Sequence, residues 1–195
     1  HFPNANVGLT TLSNDIVPAR KWCPLERAIA ALGQYVSTDL FLKAVGSKMD
    51  YIGLDYYKRS RIFWRPPFIR NPKDNPINDM NWEICPEGMY NALKRLDRYG
   101  VPILITENGV ADAEDKYRAD FIKEHLRYLH KAISDGVDVR GYFHWSLLDN
   151  FEWAWGWEPK FGLYTVDRET FKRTPRASAK VYKEICKNNA IKIEV

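Results

Sequence analysis

The chain has 195 residues, of which 45% are hydrophobic and 28% are charged, and its formal net charge is +4. These fractions are ordinary for a soluble domain that can bury a core of its own. No apolar run approaches the ~18 residues that a membrane-spanning helix requires, so we expect no membrane partner.

The hydrophobic pattern predicts four strands, each followed by a helix or a loop that leads to one. The strands are predicted at residues 6–12, 51–56, 101–106 and 139–145. The helices are predicted at residues 22–44, 86–99, 117–134 and 176–188. Four such repeats without a break in composition predict one domain over residues 1–195, built on a parallel sheet.

The segment from residue 58 to residue 85 is predicted to lack regular structure, because prolines recur along it. These prolines are Pro66, Pro67, Pro72 and Pro76. Four arginines in the same segment alternate with aromatic residues, a mixture that could bind nucleic acid. The arginines are Arg59, Arg61, Arg65 and Arg70. We favour a solvated loop and expect no nucleic-acid partner, and loops of this length are usually functional.

The three cysteines, Cys23, Cys85 and Cys186, are odd in number and widely spaced. Because they form no pairs with metal-ligand spacing, they favour a reducing compartment, and we expect a cytoplasmic location. His125, His130 and His144 also lack metal-ligand spacing with acidic residues. We therefore expect no metal and no cofactor, and we expect His144 to be a hydrogen-bonded core histidine.

Two strand-to-loop junctions carry carboxylates. The first is Ile103-Leu-Ile-Thr-Glu-Asn-Gly109, and the second is Tyr142-Phe-His-Trp-Ser-Leu-Leu-Asp-Asn-Phe-Glu-Trp153. Sugar hydroxyls favour carboxylate acceptors and sugar C–H faces favour flat apolar rings, so this mixture of carboxylates and aromatic rings is typical of a carbohydrate site. Carboxylates at the ends of parallel strands indicate the rim of a β/α barrel.

These junctions resemble the signature motifs of family 1 glycoside hydrolases, the retaining β-glucosidases and β-galactosidases. Further matching motifs are Asp50-Tyr-Ile-Gly-Leu-Asp-Tyr-Tyr57, Trp82-Glu-Ile-Cys-Pro-Glu-Gly88, Phe161-Gly-Leu163 and Val166-Asp167. The motifs occur in the family's order from about Asn6 to Cys186 and cover only its second half. The resemblance implies a (β/α)8 TIM barrel of which this chain supplies strands 5–8. It also implies that the native N-terminus lies upstream.

The resemblance assigns the nucleophile to Glu107 and assigns to Tyr57 a hydroxyl that hydrogen-bonds it. The family's acid/base glutamate lies in an Asn-Glu-Pro motif after the fourth strand, which implies a separate N-terminal half as a partner. The only Glu-Pro pair here, Glu158-Pro159, is interpreted as part of a loop.

The substrate-binding residues implied by the resemblance follow the last strand. Glu152 and Trp153 are expected to bind the hydroxyls of a β-glycoside or oligosaccharide. Trp145 is expected to stack beneath the sugar and Phe161 to close its pocket. For Trp155 and Trp157 two roles stay open, since each either packs or contacts the leaving group. Asp149 and Asn150 are expected to shape the loop.

One position departs from the family pattern, since Asp55 stands where the family usually has asparagine. An acidic group there could raise the pKa of the nucleophile by like-charge repulsion, or could point into the barrel. The activity implied is hydrolysis of terminal β-glucosides or β-galactosides with retention. Two alternatives stay open: a thioglucosidase, and a non-catalytic carbohydrate-binding half-barrel.

Overall fold

The computed structural model describes residues 4–71 and 75–191 of the chain. Its strands are β1 Gly8–Leu12, β2 Asp15–Pro18, β3 Tyr51–Tyr56, β4 Arg59–Ile62, β5 Ile103–Asn108, β6 Val139–His144, β7 Tyr164–Val166 and β8 Arg173–Pro175. Its α-helices are α1 Pro24–Gln34, α2 Leu40–Val45, α3 Pro86–Leu96, α4 Arg118–Ser134 and α5 Ala177–Asn188. Within these described ranges no helix is both long enough and apolar enough to cross a membrane.

Strands β1, β3, β5 and β6 form a parallel sheet in that order, as the sequence predicts. Ile52 of β3 pairs with Ile103 of β5, and Ile103 pairs in turn with Val139 of β6. Strand β3 has the predicted bounds, whereas β5 begins and ends two residues later than predicted. Because parallel strands all end at one rim, the residues that follow β3, β5 and β6 meet there.

Helices α3 and α4 pack against one face of this sheet. Met89, Leu93 and Leu96 of α3 are fully buried, and they join Leu129 and Ala132 of α4 in one apolar cluster. Burial of each large apolar side chain stabilises the fold by about 1.5–3 kcal/mol. This core holds the sheet in position below the rim.

Helix α4 begins at Arg118 because a carboxylate satisfies its free N–H groups. Asp112 accepts the backbone N–H of Lys116 at 3.0 Å, of Tyr117 at 2.7 Å and of Arg118 at 3.0 Å. A negative charge at a helix N-terminus also interacts favourably with the helix dipole. Asp112 therefore fixes the connection that leads from β5 into α4.

The helix predicted at residues 22–44 is divided by a π-helical turn at Tyr35–Asp39, which separates α1 from α2. Polar side chains accompany the break: the Ser37 hydroxyl donates to the carbonyl of Gln34, and the Gln34 amide donates to the Thr38 hydroxyl. Such side-chain bonds compete with regular helix geometry. The Thr38 hydroxyl in turn donates to Ser13 at 3.2 Å, which attaches the turn to the segment after β1.

The prediction of irregular structure throughout residues 58–85 is wrong for Arg59–Ile62. This segment is strand β4, and it pairs in parallel with β2 in a second, two-stranded sheet. Ion pairs stabilise it: Arg59 lies 2.7 Å from Asp15, and Arg61 lies 2.8 Å from Glu83. Pro72 lies outside the described residues. The hairpin of β7 and β8 was also absent from the predicted elements.

Candidate active site

Glu107 lies at the rim, at the next-to-last position of β5. Its carboxylate accepts a hydrogen bond from the hydroxyl of Tyr57, with 2.6 Å between Tyr57 Oη and Glu107 Oε2. Tyr57 directly follows β3, so the neighbouring strand supplies the donor. Burial, together with the bond to Glu107, raises the pKa of Tyr57 far above its usual value. The hydroxyl therefore keeps its proton and remains a donor to the carboxylate.

Asn108 holds the ends of three strands together behind Glu107. It is fully buried, its amide donates to the carbonyl of Tyr56 at 2.7 Å, and its carbonyl oxygen accepts from the Tyr142 hydroxyl at 2.9 Å. At Gly109 a Cβ would come within 1.8 Å of the carbonyl oxygen of Trp145, so only glycine permits this close approach. These contacts fix the turn that presents Glu107.

Asp55 pairs with Glu107 across the β3–β5 ladder, next to an irregularity in the register. Its carboxylate accepts a 2.7 Å hydrogen bond from the hydroxyl of Thr106. Burial raises the pKa of Asp55 to about 6, the Thr106 hydrogen bond opposes the rise, and the charge of Glu107 adds to it. The departure from the family pattern thus places a second titratable carboxyl beside the first.

An aromatic cluster borders Tyr57. The ring of Trp82 lies 5.9 Å from the Tyr57 ring, and Phe161 lies 6.1 Å from Tyr57 and 6.3 Å from Trp82. Phe161 is 1% exposed and packs within this cluster. Trp82 was not among the predicted site residues. Its position at the end of a long loop after β3 was a sequence feature that could have identified it as one.

Glu152 and Trp145 contact each other in the loop after β6. The indole N–H of Trp145 donates to Glu152 Oε1 at 3.2 Å, and the amide of Asn150 donates to the same oxygen. The second carboxylate oxygen, Oε2, has no hydrogen-bond partner within the described ranges. Glu152 is therefore oriented by its neighbours and can accept further hydroxyl donors.

Asp149 holds this loop to the rest of the chain, which agrees with its expected structural role. It accepts the backbone N–H of Gly162 at 2.9 Å and two bonds from the Arg176 guanidinium at 3.0 Å each. Arg176 also donates to the carbonyl of Gly162 at 2.6 Å. Both side chains of this ion pair are buried, so its hydrogen bonds fix the position of the loop.

The remaining aromatic residues of the loop form an open surface. Trp153 is 85% exposed, Trp155 is 62% exposed, and Phe151 contacts Trp157 with 5.5 Å between their ring centroids. Glu158 is also exposed, in the segment between this loop and Phe161, as its interpretation as a loop residue requires. Trp153 thus lies beside Glu152 and makes a large apolar area available at the rim.

The expectation that His144 is hydrogen-bonded is wrong for the described part of the chain. Neither ring nitrogen of His144 has a hydrogen-bond partner there, and its ring lies 5.8 Å from that of Tyr182. Burial lowers the pKa of His144 to about 3, so the ring is uncharged. No group of three His, Cys, Asp or Glu side chains within residues 4–71 and 75–191 has the arrangement of a metal site.

Comparison with known proteins identifies the family that the chain is similar to. The family model described as Glycosyl hydrolase family 1 matches residues 36–191. The β-galactosidase of Saccharolobus solfataricus is 47% identical over 163 residues, which are 76% of this chain and 33% of that protein. The β-galactosidase of Pyrococcus woesei is 39% identical over 165 residues, which are 73% of this chain and 32% of that protein.

Solved structures show the same likeness in three dimensions. A β-glycosidase from Pyrococcus horikoshii superposes with a TM-score of 0.88 at 40% identity, covering 96% of this chain and 49% of that one. A β-glucosidase from Thermotoga maritima in complex with glucoimidazole gives a TM-score of 0.85 at 30% identity, covering 96% of this chain and 52% of that one. The chain thus spans about half of each solved barrel and about a third of each curated relative.

Proposed function

The chain belongs to glycosyl hydrolase family 1 and has the fold of half a TIM barrel, and from that premise we propose that it is the C-terminal half of a retaining β-glycosidase. The observation that carries this proposal is the 2.6 Å hydrogen bond from Tyr57 to Glu107 at the carboxyl end of β5. It places an oriented carboxylate at the rim where TIM-barrel enzymes perform their chemistry. The substrates are terminal β-glucosides and β-galactosides.

Glu107 is the nucleophile of the proposed mechanism. One of its carboxylate oxygens attacks the anomeric carbon as the glycosidic C–O bond breaks, and a covalent glycosyl-enzyme forms. Water then attacks the same carbon and releases Glu107, so the two displacements retain the β configuration. Tyr57 holds the carboxylate in one orientation and stabilises its negative charge when the enzyme is free.

The acid/base that protonates the leaving oxygen must lie on another segment. In a retaining enzyme the two carboxyl groups are about 5–5.5 Å apart. Glu158 lies in an exposed loop, and Asp55 shares a strand register with Glu107 and hydrogen-bonds to Thr106. We therefore assign the acid/base to a glutamate of the N-terminal half of the barrel.

Sugar recognition is assigned to Glu152 together with Trp145 and Trp153. The free oxygen of Glu152 can accept sugar hydroxyls, and its bonds from Trp145 and Asn150 fix its direction. Glucose and galactose differ in the direction of one hydroxyl, and a carboxylate can accept from either. A phosphate on the sugar would be repelled by this carboxylate, so the proposed substrates are unphosphorylated.

The partner of this chain is proposed to be the N-terminal half of the same barrel. Strands β1 and β6 are the two edges of the sheet, and unpaired edges are normally covered. On α1, on α2 and on the π-helical turn between them, the apolar side chains of Leu32, Phe41 and Val36 are 48–63% exposed. Closing the barrel would pair both strand edges.

The three cysteines are unpaired, which favours a cytoplasmic location for the assembled protein.

The proposal is tested by combining the chain with the N-terminal half of a family 1 relative. Hydrolysis of an aryl β-glucoside is expected only from the combination, since general acid–base catalysis contributes about 10²–10⁴-fold. Full activity of the chain alone would contradict the assignment of the acid/base. Sugar binding without hydrolysis in a correctly assembled barrel would favour the carbohydrate-binding alternative.

A further inference from the structure

Lys58 is a half-buried cation without an ion-pair partner in the described part of the chain. It directly follows Tyr57, and its ammonium lies over the Trp82 ring, 4.7 Å from the ring centroid. Its neighbours differ in this respect, since Arg59 pairs with Asp15 at 2.7 Å and with Glu87 at 3.0 Å. Burial lowers the pKa of Lys58, and no anion within residues 4–71 and 75–191 offsets this effect. An uncompensated charge of this kind is costly unless a ligand or solvent satisfies it.

The cavity beside Lys58 is small, and its described lining is mostly polar or cationic. It has a volume of about 140 Å³ and is lined chiefly by Lys58, Ser60, Arg70, Asn71, Asn81 and Trp82, with no carboxylate among its described lining residues. Arg70 is held by bonds to the carbonyls of Pro66 and Pro67, and Asn71 is held by Asn81. Pockets that enclose a whole drug-sized ligand start near 300 Å³. This cavity therefore fits one functional group.

The topology places this cavity on one side of Glu107 and the sugar-binding loop on the other. Strand β5 carries Glu107 and lies between β3, which leads to Lys58, and β6, which leads to Glu152. If Glu152 binds the sugar that is transferred, the β3 side receives the remainder of the substrate. Trp82 links the cavity to the surroundings of Glu107, because its ring contacts both Lys58 and Tyr57, the residue that donates to Glu107.

We propose that Lys58, with Arg70 and the side-chain amide N–H groups of Asn81, binds a carboxylate on the leaving group of the β-glycoside, while Asn71 orients Asn81. This inference rests on the proposed function and extends it to a substrate class, glycosides whose aglycone is an aromatic acid. The aromatic ring lies against Trp82, and its carboxylate reaches the ammonium of Lys58. Charge-assisted hydrogen bonds of this type are stronger than neutral ones.

The test measures binding to the 195-residue chain by chemical-shift titration with two matched probes. These are 4-carboxyphenyl β-D-glucoside and its methyl ester, which has the same ring and sugar without the charge. Benzoate is titrated as a third probe, which carries the aromatic acid without the sugar. The acid is expected to bind about tenfold more tightly than the ester. Lys58→Met should abolish this preference, and Lys58→Arg should retain most of it. Lys43→Met is the matched control, because Lys43 lies over the Tyr35 ring at 4.9 Å, elsewhere on the surface.

The outcomes separate this inference from the proposed function. Equal binding of acid and ester, or a preference that survives Lys58→Met, would overturn the carboxylate site. Failure of benzoate and of the carboxyphenyl glucoside to bind at all would overturn it as well. Binding of benzoate that depends on Lys58, with no gain from the glucosyl group, would support an anion site that takes free carboxylates and would count against the sugar-binding role.

Discussion

The Tyr57 hydroxyl lies 2.6 Å from Oε2 of Glu107, although the two residues are 50 positions apart in the sequence. Adjacent parallel strands bring them together, because β3 ends just before Tyr57 and β5 ends just after Glu107. This hydrogen bond holds the carboxylate of Glu107 in one orientation. It is the contact on which the proposed chemistry depends most directly.

Tyr57→Phe should lower kcat of the assembled enzyme by a factor of roughly 10 to 100, because a hydrogen bond to a charged group contributes roughly 1.5–3 kcal/mol. Tyr56→Phe is the control: its hydroxyl donates to the carbonyl of Cys85 and is directed away from Glu107. Equal effects of the two substitutions would show that the Tyr57 hydroxyl has no special role.

Glu152→Ala should reduce kcat/KM for glucosides and galactosides together. Each sugar hydroxyl left without its acceptor costs roughly 1–3 kcal/mol, and Trp145 and Asn150 also lose a partner. Steady-state kinetics on both aryl glycosides checks the prediction, with Glu158→Ala as the exposed control. An unchanged kcat/KM for both sugars would remove Glu152 from the binding site.

Asp149→Ala should destabilise the chain by about 3 kcal/mol, because it leaves the buried guanidinium of Arg176 without its anion. Thermal or urea unfolding measures this change. The exposed pair of Arg140 and Asp138 provides the comparison, and Asp138→Ala should leave the unfolding midpoint unchanged. Similar midpoints for the two variants would show that the buried pair does not hold the loop.

Asp55→Asn should make the chain more stable above pH 6 and leave its stability unchanged near pH 4. The pKa of Asp55 is raised to about 6 in the folded state, so its contribution to stability is present below the unfolded pKa and is lost as pH rises through 6. A pKa raised from an ordinary aspartate value to about 6 corresponds to about 2.7 kcal/mol. Solvent screening at this half-exposed site reduces the expected difference to about 1 kcal/mol.

The measurement is urea unfolding of both proteins between pH 4 and pH 8. Asparagine keeps a carbonyl oxygen that can accept the Thr106 hydroxyl, so the substitution removes the charge and preserves the hydrogen bond. A difference that stays constant across this pH range would show that ionisation of Asp55 is not its cause.

The parallel strands were predictable because each has an apolar or alternating hydrophobic pattern, and Tyr51–Tyr56 was located to the residue. Strand β4 was not predictable in this way. Its residues Arg59 and Arg61 look like a solvated loop, and only tertiary pairing with Asp15 and Glu83 makes the strand favourable. The break between α1 and α2 likewise depends on the bond from Thr38 to Ser13, across 25 positions.

For the candidate site, local motifs predicted Glu107, Glu152 and the loop after β6. The partners that orient them were less accessible to prediction, because contacts such as Asn150 to Glu152 and Arg176 to Asp149 depend on side-chain direction. For His144 the prediction itself was wrong. The sequence predicted a hydrogen-bonded core histidine, but a sequence pattern could not show whether the ring nitrogens of His144 find partners.

The most direct test of the central claim is covalent labelling of the assembled enzyme with 2-deoxy-2-fluoro-β-D-glucosyl fluoride, followed by peptide mapping. The fluorine slows both displacements, and the reactive leaving group lets the first one proceed, so the glycosyl-enzyme accumulates. The account predicts that the label resides on Glu107 and that Glu107→Gln abolishes both labelling and hydrolysis. A label on any other carboxylate, or an active Glu107→Gln enzyme, would contradict it.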